Sequence, residues 1–167
     1  MGRNTFEGSC HFRQRLICAT LSGKTIRIQH IRSDDENPGL TEYEANALRL
    51  LDTISNGARI EINETGTVLK YTPGMILGGK FQHDCGNKRS IGWFLEILLA
   101  LGPFAKKPMQ AVLTGITNDQ IDVSIDTFRS TTLPLLKVSL CKDREMQEGY
   151  SSPFVAFWTR RRIGIEY

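Results

Sequence analysis

The chain has 167 residues, 40% hydrophobic and 23% charged, with a formal net charge of +3. That length suits one domain or two small units sharing a core, and the composition is that of an ordinary soluble fold. The longest apolar run, Ile91 to Leu101, is broken by Gly92 and Glu96 and is too short to cross a bilayer, and so small a net charge neither requires nor rules out a nucleic-acid partner.

In chain order, Phe6 to His11 reads as a short strand, with Gly8-Ser9 giving a tight entry into the next element. Arg13 to Leu21 places Leu16, Ile17, Thr20 and Leu21 at helical spacing, and Ser22-Gly23 stops the helix. Ile26, Ile28 and His30 alternate with Arg27 and Gln29, which predicts a half-buried strand and a packed His30. Asn37-Pro38-Gly39 closes an acidic loop, and Thr41 with Glu44 three residues on forms a capping box. Ala45, Leu48, Leu51 and Ile54 then line one helix face that Asn56-Gly57 ends. Arg59 to Asn63 and Thr67 to Tyr71 flank Glu64-Thr65-Gly66 as a hairpin.

Pro73-Gly74 marks a boundary, after which much of the same grammar returns. Met75 to Cys85 reads as a strand broken at Gly78-Gly79, Ser90 to Leu101 as a buried helix, Lys107 to Leu113 as a strand, and Val123 to Leu136 as a helix. The expected fold class is therefore α/β, with a first βαβαββ unit over residues 6–72 and a second over 73–137 that lacks its last hairpin. Without that hairpin an unpaired sheet edge is expected, with Leu95, Leu98 and Leu133 under-covered. Residues 138–167 lose all period, and the expectation there is a divergent, disordered tail.

Candidate chemistry is sparse. Cys10, Cys18, Cys85 and Cys141 form no CxxC pair and the first ten residues carry no apolar signal region, so free thiols are expected. Cys10-His11 and His83-Asp84-Cys85 fit no zinc pattern, and no metal and no cofactor is expected. His11, His30 and His83 have no nucleophile and orienting acid at a recognisable spacing. Asp122 and Asp126, four apart, are expected to complement a helix N-terminus. Arg13, Arg15, Lys24, Arg27 and Arg32 crowd the first helix and strand, and Lys88-Arg89 precede the buried helix; both groups suit a phosphate contact or a solvated face. Trp158 and Arg160-Arg161-Arg162 interleave aromatic and basic groups, a weak nucleic-acid or import signal.

Six segments together resemble the RNA 3'-terminal phosphate cyclase family, above all its cyclase-like branch of the nucleolus: RQRLICATLSGKTIRIQHIR, DDENPGL, NGARIEINETGT, YTPGMILGG, HDCGNKRSIGWFLEILL and GITNDQIDVSIDTFRSTTLPLLK. The resemblance implies a row of repeated βαβαββ units. It also implies how the site departs from the cyclases. Their EGGGQxLR stretch is similar to Phe6 through Arg13, but Phe6 replaces the glutamate and Cys10 the glutamine. Arg13 and Arg32 match, whereas the second arginine of the loop falls on Asp35, beside Glu36. Lys88 and Arg89 stand where the cyclases place small residues, and the cyclases' catalytic histidine has no counterpart, so no catalytic residue is expected. Arg13, Arg15, Arg32, Lys88 and Arg89 remain as possible RNA or phosphate contacts.

The partners that the resemblance implies are the pre-ribosomal particle, precursor small-subunit rRNA and a nucleolar ribosome-assembly GTPase, with no membrane. The function it implies is ribosome biogenesis (rRNA processing and 40S assembly in the nucleolus) without cyclase activity. The alternatives are an RNA-processing enzyme, either a cyclase or a pre-rRNA endonuclease, and a non-functional truncated isoform whose tail begins at Val138-Ser139.

Overall fold

A computed structural model describes residues 4–132 and 134–135, together with the backbone of Trp158–Arg160. The first unit runs β1 (Asn4–Glu7), α1 (Phe12–Ser22), β2 (Ile26–Gln29), α2 (Glu42–Ile54), β3 (Ser55–Asn56), β4 (Arg59–Ile62) and β5 (Leu69–Thr72). The second runs β6 (Met75–Ile76), β7 (Gly79–Asp84), α3 (Ile91–Leu101), a 3₁₀ turn at Gly102–Phe104, β8 (Met109–Thr114) and the single helical turn α4 (Ile125–Thr127). Strand β9 (Trp158–Arg160) closes the order.

Strands β1 and β2 pair in parallel across α1, and β2-β5-β4 continue antiparallel, which gives the sheet order β1-β2-β5-β4. The second unit repeats the parallel pair as β7 and β8 across α3. Each sheet alternates. Ile26, Ile28, Leu69 and Tyr71 face the core in the first, and Met109, Ala111 and Leu113 do so in the second. Helix α1 packs on α3 and α2, so one hydrophobic core serves both units. Short β3 and β6 pair antiparallel and tie the end of the first unit to the start of the second.

Several local expectations need correction. The first strand ends at Glu7 because the chain turns at Gly8 (φ 67°) and His11 (φ 54°). Helix α1 buries Phe12, Leu16, Ala19 and Thr20 and leaves Leu21 45% exposed; Thr20 goes inside because its hydroxyl bonds both the Leu16 carbonyl (2.8 Å) and the Tyr71 hydroxyl (2.9 Å). His30 is exposed, not packed. The strand stops at Gln29, and a left-handed His30 (φ 52°) resets the alternation so that Ile31 takes the buried position. The helix expected from Val123 is present but starts two residues later as α4, takes π form over Phe128–Thr132 and is helical again at residues 134–135; it is entered from an N-cap at Ser124 whose hydroxyl accepts from the Thr127 amide.

Leu95 and Leu98 are buried, 2% and 0% exposed, within the shared core rather than under-covered. Strand β8 has neighbours on both sides, because β9 lies parallel to it with Val112 opposite Trp158. Of the tail expected to be disordered, only the backbone of those three residues is described, and it is strand; Leu133, Cys141 and the rest lie outside the described residues. No helix among the described residues is long and apolar enough to cross a membrane.

Candidate functional site

The acidic loop after β2 is built around one ion pair. Arg32, in a left-handed conformation (φ 46°), sends a fork of N–H groups to Glu44: Nη1 to Oε2 at 2.8 Å and Nη2 to Oε1 at 2.7 Å. Nη1 also donates to the Gly39 carbonyl at 2.8 Å, which closes the loop. Glu44 is the N3 residue of α2 and accepts the Thr41 amide at 2.9 Å, half of the expected capping box; Thr41 Oγ1 is oriented for the other half but makes no hydrogen bond of its own. The side chains are 19% and 3% exposed, so the pair is largely withdrawn from water, and its hydrogen bonds to Glu44 raise the Arg32 pKa against the desolvation that lowers it. Asp34, Asp35 and Glu36 stand exposed on the outside of the same loop. An anion approaching here meets carboxylates first and a guanidinium already paired.

A second group spans the seam between the units. The Arg13 guanidinium lies 5.4 Å from the centre of the Trp93 ring, donates to the Trp93 carbonyl at 3.1 Å and pairs with Glu96. Trp93 meets Tyr43 edge to face at 5.3 Å, and the Arg89 guanidinium lies over the Tyr43 ring at 5.2 Å. Arg89 in turn forks onto Asp122 at 2.6 and 3.0 Å. The result is a chain of contacts, Arg13–Trp93–Tyr43–Arg89, two aromatic rings between two guanidinium groups, with a carboxylate at each end. Cation–π contacts of this kind hold elements together when their cations are partly desolvated.

Asp119, which sequence reasoning passed over, organises the loop at the Arg89 end of those contacts. Its carboxylate accepts amides of Ser90 (3.2 Å), Ile121 (3.0 Å) and Asp122 (2.6 Å). Desolvation works against its charge, but those three amides and Arg89 outweigh it and hold the carboxyl below the usual range. The signal was present in Thr117-Asn118-Asp119, an Asx turn directly before the residues it caps. Asp122, expected on a helix, is instead held in this loop by Arg89.

The five sequence candidates therefore do not converge on one cradle. Arg13 and Arg89 belong to the seam and Arg32 to the loop lock. Arg15 donates to the Gly8 carbonyl at 2.8 Å and the Glu7 carbonyl at 3.2 Å, with its guanidinium over the Phe6 ring at 5.0 Å, and so is tied to the end of β1. Lys88 is exposed, with no partner among the described residues. Of the two further cations, Lys24 is exposed and Arg27 lies on the outer sheet face in register with Lys70 and Glu61. Cys85 is buried, its thiol pushed up to about 12 by burial and then by Asp84, while Cys10 and Cys18 are exposed. No group of three or more His, Cys, Asp or Glu able to hold a metal occurs among the described residues.

Fold and site together define an α/β protein of repeated βαβαββ units whose loop arginines are paired with its own carboxylates. The RNA 3'-terminal phosphate cyclase family profile matches residues 4–147, past the unit boundary expected at 137. The chain belongs to that family. It is 60% identical over 133 residues to a probable RNA 3'-terminal phosphate cyclase-like protein of Dictyostelium discoideum, covering 79% of this chain and 36% of the relative. To the cyclase-like protein of Homo sapiens it is 56% identical over 129 residues, 77% of this chain and 35% of that one. To the rRNA processing protein RCL1 of Saccharomyces cerevisiae it is 44% identical over 133 residues, 80% of this chain and 36% of that one. The chain thus spans about a third of the length of the curated relatives it matches.

Proposed function

We propose that this chain acts in ribosome biogenesis, as a factor for rRNA processing and small-subunit (40S) assembly in the nucleolus, and that it works by docking rather than by cyclising RNA ends. The observation that carries the reading is the Arg32–Glu44 lock. The loop arginine that matches the cyclases is bound bidentately to a carboxylate of the chain itself, and Asp35 stands where they have a second arginine. A phosphoryl group in that loop would have to displace Glu44 and leave it buried without a cation, a cost of several kcal/mol. The relatives named as rRNA processing proteins support the biological setting. The pre-ribosomal particle, precursor small-subunit rRNA and a nucleolar assembly GTPase are the partners this reading assigns. The test is to express the tagged chain and purify it under mild salt. Enrichment of precursor small-subunit rRNA over mature rRNA supports the reading, and a soluble, folded chain that brings down neither particle nor precursor sinks it.

A further inference from the structure

One corner of the second unit is distinguished by what it lacks. Residues 65–83, between Glu64 and Asp84, contain no Asp or Glu, and neither do residues 97–118, between Glu96 and Asp119. Residues 53–60, between Asp52 and Glu61, are likewise free of acids. The fold brings these three segments together. The amides of Lys106 and Lys107 donate to the carbonyls of Ile76 and Leu77 at 3.1 and 2.9 Å, and the Gly79 amide donates to Pro108 at 3.1 Å. The β3–β6 pair sets Asn56 opposite Met75, and β7 carries Lys80 beside Gln110.

The corner thereby gathers exposed Arg59, Lys80, Lys106 and Lys107, none with a carboxylate partner among the described residues. Lys70, by contrast, is spent on Glu61 at 2.9 Å. Among these cations the surface also exposes apolar groups: Phe104 is 65% exposed, Met75 51% and Leu77 36%. Arg13, Arg15, Arg32 and Arg89 are all internally engaged, so Arg32 and its acidic loop offer no free cation, whereas this corner gathers several.

We propose that this corner is a single-stranded RNA contact, with Lys80, Lys106 and Lys107 on successive phosphates and the Phe104 ring under a base. Charge complementarity selects the occupant. A polyanion gains from three unpaired lysines with no opposing carboxylate, and a base gains a stacking face from a phenyl ring already in water. The proposal rests on the rRNA-processing reading for its choice of RNA and deepens it by giving that RNA a surface.

The experiment is fluorescence anisotropy of a labelled twelve-nucleotide RNA without secondary structure, titrated with the full chain across a salt series. Lys106→Gln/Lys107→Gln is expected to weaken binding about tenfold or more at low salt and to flatten the slope of log K against log salt by about 1.4, two phosphates at roughly 0.7 each. Phe104→Ala is expected to weaken it at least about fivefold with the slope unchanged. Lys24→Gln, an exposed cation elsewhere, should leave binding near wild type. All the substituted side chains are exposed, and circular dichroism checks that each variant folds. Binding that is undetectable in the wild type, or lost equally in Lys24→Gln, overturns the site. So does displacement by polyglutamate as effective as by RNA with Phe104→Ala silent, which would assign the corner to an acidic polypeptide. These outcomes hold whether or not the chain is recovered with precursor rRNA, so the two readings fail separately.

Discussion

Arg32 carries two burdens, a left-handed backbone that costs a non-glycine residue about 1 kcal/mol and a guanidinium withdrawn from water, and Glu44 compensates both. Replacing Arg32 by Met strands a buried carboxylate and should cost about 3 kcal/mol in chemical denaturation. Adding Glu44→Gln should recover about half of that, because the neutral amide still accepts the Thr41 amide and no longer needs a cation. Simple addition of the two losses would show that the groups act independently. The pair was half legible in the text. Thr41 and Glu44 read as a capping box, but nothing local says that Arg32, twelve residues earlier, would share the same carboxylate.

His83 gives the chain a dependence on pH. It sits on the inner face of β7 against the Phe94 ring, centroids 5.9 Å apart, and its Nε2 is buried without a hydrogen-bond partner. Burial lowers its pKa, Asp84 raises it and Arg49 lowers it further, for a net depression. The unfolded chain takes up the proton near pH 6.5, the folded chain only at lower pH. Between those values the unfolded state binds more protons, so stability falls as pH falls below about 6.5. Urea midpoints compared at pH 7.5 and 5.5 should show that loss in the wild type and a smaller one in His83→Leu. An equal loss in both would assign the dependence to other groups.

At the scale of elements, α3 is the piece on which both units close. It is apolar nearly all round, with Ile91, Phe94, Leu95, Ile97, Leu98 and Leu101 buried, because α1 packs on it and it connects the paired strands β7 and β8, with Phe94 against His83 of β7. Gly92 interrupts that apolar run for a steric reason. A Cβ there would strike the Val123 carbonyl oxygen, with the Ser90 hydroxyl and the Phe128 ring at 3.3 and 3.4 Å. Gly92→Ala should therefore lower stability by about 1–3 kcal/mol, although alanine is intrinsically better in a helix by about 1. A variant that melts at or above the wild-type temperature would contradict the packing. The helix itself was plain from Ser90 to Leu101, and so were the hairpin and the break at Gly78-Gly79. The region after Asn118 was not. Its apolar residues sit at helical spacing and do form helix, but the Asp119 turn, the Arg89–Asp122 fork and the Ser124 cap hold the backbone before Ile125, and the helix then takes π form over Phe128–Thr132.

For the whole molecule, the repeat was legible because each unit needs its own turn signals and its own alternation, and those survive in the text. The seam was not, because Arg13, Tyr43 and the Arg89–Trp93 stretch are far apart in sequence and each reads alone as a surface group or a core aromatic. The same holds for the basic corner, where three unremarkable acid-free segments become one surface only once β6 and β7 lie beside residues 104–108. The molecule has its loop arginines, Arg32 and Arg89, neutralised from within and its cluster of free cations at the basic corner. Such a chain should hold RNA along the strand rather than by its end. The most direct measurement is the affinity of the full chain for two otherwise identical RNA dodecamers, one ending in a 3'-phosphate and one in a 3'-hydroxyl. Affinities within about twofold, a difference under about 0.5 kcal/mol, are predicted. A preference of about tenfold or more for the 3'-phosphate, lost in Arg32→Met, would contradict the account and restore the loop as a phosphate site.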